Sequence, residues 1–179
     1  MAAVHIAGHP ALDFIGTLSE RGSKDVEELR QPQDLMQWFI DADVVDRPEQ
    51  ATEHDLAAAR TLRASLFRAL ESWKRGEGVP DEHRLALNTA STSGQPRITM
   101  QPDQSIVREG TAQQCLGAIA ASFLQLIAST DPSQVRWCAD RTCTHPFIDR
   151  SRAQRRRWCE MKSCGTRNKQ RELRARKTD

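Results

Sequence analysis

Apolar positions along the chain fall into two long helical stripes, several shorter helical segments and two β-prone runs. The clearest stripe follows Thr52. Thr52 and Asp55 stand at capping-box spacing, and Leu56, Ala59, Leu62, Leu66, Leu70 and Trp73 recur at three- and four-residue steps until Gly76 and Gly78 end the run. A second stripe, opened by Thr111, puts Leu116, Ile119, Ala120, Phe123, Leu126 and Ile127 on one face. Cys115 borders it with no cysteine nearby and reads as a small buried hydrophobe. Shorter helices are predicted over "QPQDLMQWFIDADVV", with Leu35, Met36, Phe39 and Ile40 inward, and over 81–90. In "GHPALDFIGTLSERG" the block Ala11, Leu12, Phe14, Ile15 is too short for periodicity to choose between a helical turn and a buried strand. Asp13 within it reads as a cap or a buried hydrogen-bond partner. "PRITMQP" and "SIVREG", separated by Asp103 and Gln104, predict a β-hairpin.

"STDPSQ" at 129–134 is the linker candidate, and the charge balance changes sign there. Residues 1–133 carry 12 Lys/Arg against 19 Asp/Glu, whereas residues 134–179 carry 14 against 5. An acidic globular part with a basic interaction module is expected. The start of the chain lacks a basic segment followed by a long apolar one, and no apolar run approaches the roughly 18 residues of a membrane span. The expectation is therefore a cytoplasmic protein with no membrane partner, in a reducing compartment where paired cysteines favour metal over disulfides.

Four of the five cysteines form two matched pairs, each following a tryptophan: "WCADRTC" and "WCEMKSC". The spacing C-x4-C-x15-C-x4-C gives Cys138, Cys143, Cys159 and Cys164 as ligands of one structural zinc, because two short turns can aim four thiolates at a tetrahedral ion. Zinc would supply the folding energy that so small a segment lacks. A reversible dithiol switch is the competing reading. His145 reads as a turn residue before Pro146, and Trp137, Trp158, Phe147 and Ile148 as the apolar shell. After Cys164, "GTRNKQRELRARK" reads as a helix capped by Thr166 or Ser163, with Arg167, Arg171 and Arg174 on one stripe and Lys169 roughly opposite. Together with Arg152, Arg155, Arg156 and Arg157, these residues are the candidate nucleic-acid contacts, since guanidinium groups on a stiffened scaffold match phosphates.

The segment from Arg136 to Arg171 resembles the CGNR zinc finger, carried here by Phe147, Asp149, Ser151, Arg152, Arg157, Trp158, Cys159 and Met161 around the four cysteines. "GHPALDFIGTL" is similar to the start of the ABATE domain, which accompanies that finger in stress-induced transcription regulators. Two positions depart from the pattern. Thr166 replaces the Asn of Cys-Gly-Asn-Arg, and Gly16 replaces the Asn of Leu-Asp-Phe-x-Asn-Thr, so any ligand contact of that side chain is lost or moved.

The expected architecture is a mainly α domain with a short β-hairpin over 1–131, then a small four-cysteine zinc finger (short hairpin plus basic helix) over 132–179. The expected function is a zinc-dependent regulator binding double-stranded DNA. Its N-terminal domain would sense an unknown small-molecule effector or form a homodimer. The alternatives are an RNA- or protein-binding zinc module and a thiol-based redox sensor. No nucleophile–base pairing, phosphate loop or His-rich catalytic metal motif occurs, so no enzymatic activity is expected.

Overall fold

The structure, a computed structural model, describes residues 5–176. The ambiguous first block is helix α1 (Pro10–Gly16): Pro10 occupies the first turn and the His9 ring accepts from the Ala11 N–H at 3.3 Å. Asp13 turns its carboxylate back onto the N–H groups of Ile6 (3.0 Å) and Ala7 (2.9 Å), a buried hydrogen-bond role. Helix α2 (Pro32–Asp41) follows the predicted segment, with one exchange on its faces. Ile40 is exposed, and Trp38 is buried because it meets Phe14 edge-on at 4.9 Å.

Helix α3 (Glu53–Lys74) begins as its capping box requires: Thr52 Oγ1 accepts from Asp55 N at 3.2 Å, and the Asp55 carboxylate accepts from Thr52 N at 2.8 Å. Helices α4 (Asp81–Ser91) and α5 (Ala112–Ser129) complete the bundle, with α5 lying against α1, α3 and α4. Over its 18 residues α5 has mean hydropathy 1.2, enough by length and composition to cross a membrane, which corrects the expectation that no run comes close. Its inward stripe from Cys115 to Leu126 is buried in the core, so much of that apolar surface is spent on protein contacts.

Strands are short. β1 (Leu18–Ser19) and β2 (Val26–Glu27) pair antiparallel. β3 (Arg47–Pro48) lies parallel to β5 (Ile106–Gly110), which also forms the predicted hairpin with β4 (Arg97–Met100), giving the order β3-β5-β4. β1, β2 and β3 were not legible as strands in two-residue lengths.

The C-terminal part opens with an antiparallel pair, β6 (Val135–Trp137) and β7 (Pro146–Ile148), in the register Arg136 opposite Phe147. A loop leads to a π-helical turn (Met161–Gly165) and helix α6 (Thr166–Ala175). No side chain caps α6 from outside, contrary to the expected Thr166 or Ser163. Thr166 Oγ1 instead donates to Met161 O at 3.1 Å, closing the π-helical turn.

This finger shares its core with the helical domain. Val135, Phe147 and Ile148 belong to the same buried cluster as Phe14, Leu66 and Phe123. Ile148 N donates to Ala7 O at 2.9 Å, Lys74 Nζ donates to Pro132 O at 2.7 Å, and Trp137 meets Phe67 of α3 edge-on at 5.4 Å.

Candidate metal centre and basic surface

The β6–β7 turn supplies Cys138 and Cys143, and the π-helical turn before α6 supplies Cys159 at its approach and Cys164 at its end. All four Sγ atoms lie within 4.8 Å of one another. Cys143 Sγ to Cys159 Sγ is 3.7 Å, and Cys159 Sγ to Cys164 Sγ is 3.6 Å. A tetrahedron of sulfurs at zinc–sulfur bond length has edges of about 3.8 Å, so the donor set fits zinc. Cys138 is held far below the ordinary thiol range by hydrogen bonds from Cys143, Cys159 and Cys164, while Cys143 and Cys159 are pushed up, chiefly by their hydrogen bonds to Cys138. A divalent ion at the centre of the four sulfurs would let all of them ionise. The Cys159 N–H also donates to Cys138 Sγ at 3.4 Å, and Cys164 stands at the N-terminal end of α6, where the helix dipole favours a thiolate.

Two buried carboxylates build the frame around the sulfurs. Asp140 accepts from Arg167 Nε (2.7 Å) and Arg171 Nη1 (2.8 Å), tying α6 to the first cysteine turn. Burial alone would raise its carboxyl, but hydrogen bonds from Arg171, the Thr142 N–H and Arg167 hold it below the ordinary range. Arg167 Nη2 also donates to Cys164 Sγ at 3.1 Å. Asp149 closes the intervening loop by accepting from Ser151 N (3.0 Å), Ser151 Oγ (2.6 Å) and Arg156 N (2.8 Å). A Cβ at Gly165 would lie 2.6 Å from Met161 Sδ and 3.2 Å from Trp158 Cδ1, so a larger residue there displaces the exposed Met161 side chain.

A family model described as "Putative stress-induced transcription regulator" (ABATE) matches residues 8–130, and the CGNR zinc finger model matches residues 134–177. The chain belongs to the ABATE family. Comparison with curated proteins finds no match. The finger match and the sulfur cluster together give this ABATE chain one structural zinc. The Asp149–Ser151 pair gives these two side chains a structural role at the centre of the finger.

The eight candidate phosphate contacts divide by what their side chains already do. Arg167 and Arg171 are occupied by Asp140. Arg156 donates to the backbone oxygens of Trp158 (2.9 Å) and Ile6 (2.8 Å), also reaches Cys159 O, and lies 4.5 Å over the Phe147 ring. These three are structural struts of the ABATE–finger unit. Arg157 stacks 4.8 Å over Trp158, whose indole, like that of Trp137, rests against protein. Arg152, Arg155, Arg157, Lys169 and Arg174 are exposed, and so are the outer sides of Arg167 and Arg171.

Sequence reasoning assigned His145 a turn role and gave Asp140 none. His145 is buried to 7% exposure, with Nε2 3.8 Å from Asp13 Oδ1. Its ring fills the space above Gly16, where a Cβ would lie 2.0 Å from His145 Cε1. The glycine that departs from the ABATE pattern is thus the seat of the finger's histidine. That departure was the one signal in the sequence pointing to the contact.

Proposed function

We propose that this ABATE–CGNR chain is a cytoplasmic transcription regulator with no catalytic step of its own, whose zinc-loaded finger binds duplex DNA through phosphate contacts. The reading rests on one observation. Among the finger's basic side chains, Arg152 and Arg155 are exposed with no side-chain partner among the described residues, while Arg156, Arg167 and Arg171 tie the finger's loops and its helix together. Lys169 on α6 is exposed in the same way. A rigid, positively charged surface suits a polyanion, and DNA neutralisation by such residues releases counterions. The test is competition between duplex DNA and structured RNA for the zinc-loaded protein at physiological salt. Preference for a defined duplex supports the regulator; preference for RNA moves the function to an RNA-binding module.

Self-association through the free edge of β4 fits the same reading. The Gln101 N–H to Ser105 O bond (2.8 Å) makes positions 99 and 97 the hydrogen-bonded partners of β5, so the peptide groups of Ile98 and Met100 face outward. Those residues are also two of the most exposed apolar side chains, at 67% each. Antiparallel pairing of two copies about Thr99 sets Ile98 against Met100 of the second copy and satisfies both outward peptide groups. Pro96 and Pro102 lack N–H donors at the next outward positions, which confines pairing to this register.

A further inference from the structure

A cavity of about 420 Å³ opens between the β1–β2 hairpin and α3, and its wall carries Arg21, Arg60, Arg63 and Arg68 with Leu18 and Phe67. Four guanidinium groups around one small cavity need counter-charge, and three have it. Arg63 and Arg60 face Glu27, and Arg68 pairs with Glu71 at 3.0 Å. Asp25 is the one acidic residue on the wall, and its Oδ1 is occupied by the Gly22 N–H at 2.9 Å. Arg21 has no ion pair among the described residues. Its guanidinium donates to Ile15 O at 2.5 Å and lies 4.3 Å over the Phe67 ring, while its Nη1 is buried with no hydrogen-bond partner. Burial, with the neighbouring charge of Arg63, pushes its pKa down to about 10 against the smaller opposing pull of Glu27, Glu71 and Asp25. Such a guanidinium is costly until an oxyanion pairs with it.

We infer that this cavity is a binding site for a small oxyanion, a phosphate group or a carboxylate, held by the guanidinium of Arg21 with Arg60 and Arg68 at its rim. The volume suits a compact metabolite-sized ligand. Arg60 and Arg68 keep donors free after their existing bonds, since each guanidinium offers five N–H groups. The site also touches the finger. Arg21 N donates to Thr144 Oγ1 at 3.3 Å, one residue after Cys143. Phe67, beneath the Arg21 guanidinium, meets Trp137 edge-on one residue before Cys138. An occupant that draws Arg21 toward the cavity acts on both sides of the first cysteine turn. The site does not depend on the finger's partner being DNA.

The experiment is amide chemical-shift mapping of the zinc-loaded full chain titrated with inorganic phosphate and, separately, with succinate. The expected result is saturable shifts at Leu18, Gly22 and Ala64, accompanied by Thr144, with one of the two anions. Arg21→Met should weaken that saturation about tenfold or more, as loss of a charged hydrogen-bond donor does. Phosphate-induced shifts at residues 152–157 should persist, because they belong to the finger's exposed arginines. If Arg21→Met does not fold, Arg68→Gln at the exposed rim should weaken the same saturation at least threefold. Shifts confined to residues 150–176, shifts that never saturate, or equal affinity in the variants would overturn the site. Saturation by phosphate alone assigns a phosphorylated ligand; saturation by succinate alone assigns a carboxylate.

Discussion

Gly16 and His145 are one joint between the two halves of the chain: the imidazole occupies the position that a side chain on residue 16 would take, with a would-be Cβ only 2.0 Å from Cε1. Gly16→Ala should therefore destabilise the protein by about 1–3 kcal/mol through overpacking. The double variant Gly16→Ala/His145→Ala should lose less than the sum of the two single changes, because removing the ring vacates the contested space. Thermal melts of the four proteins give the coupling directly. Strict additivity would show that the two residues do not share that space.

Asp140 joins α6 to the first cysteine turn through two guanidinium groups. Asp140→Asn should cost about 2 kcal/mol, the scale of charged hydrogen bonds, and loosen α6 first. Hydrogen exchange should show faster amides over 166–175 with little change in α3. An unchanged α6 would mean that the helix is held by the metal turn alone.

One zinc per chain should be found by metal analysis, and Cys159→Ser should abolish stoichiometric binding. Under chelation the four ligand thiols should become reactive together. Cys115 should stay unreactive until global unfolding, since burial pushes its thiol up to about 12. A fully folded finger without metal would contradict this account.

The long stripes of α3 and α5 were legible because each buries a face whose period is written locally, and the four zinc ligands because two short turns fix their spacing. The roles of the arginines were not legible in the same way. Arg167 and Arg171 lie on one helical stripe whether they reach for phosphate or for Asp140, and the carboxylate that claims them lies 27 and 31 residues away in sequence. Arg156 was equally ambiguous, because its strongest partners are backbone oxygens, one of them at Ile6 near the opposite end of the chain. The Trp38–Ile40 exchange on α2 has the same origin: the aromatic contact with Phe14 decides which residue turns inward.

If β4 pairs with its copy, Met100→Lys should convert a dimer to a monomer without lowering thermal stability at high dilution. The substitution places a charge at an already exposed edge, where natural sheets carry lysine to block pairing. Sedimentation at micromolar concentrations distinguishes the outcomes. A monomeric parent protein removes the edge from the account.

The salt dependence of duplex DNA binding by the zinc-loaded protein is the sharpest test of DNA recognition by the finger. With about four phosphates neutralised, log affinity should fall against log salt with a slope of roughly −4. Replacing Arg152, Arg155, Arg157 and Lys169 with glutamine should flatten that slope by about 3 units while zinc content stays unchanged. Binding that is absent at low salt, or a slope untouched by those four substitutions, would contradict the assignment of the finger's exposed basic surface to DNA.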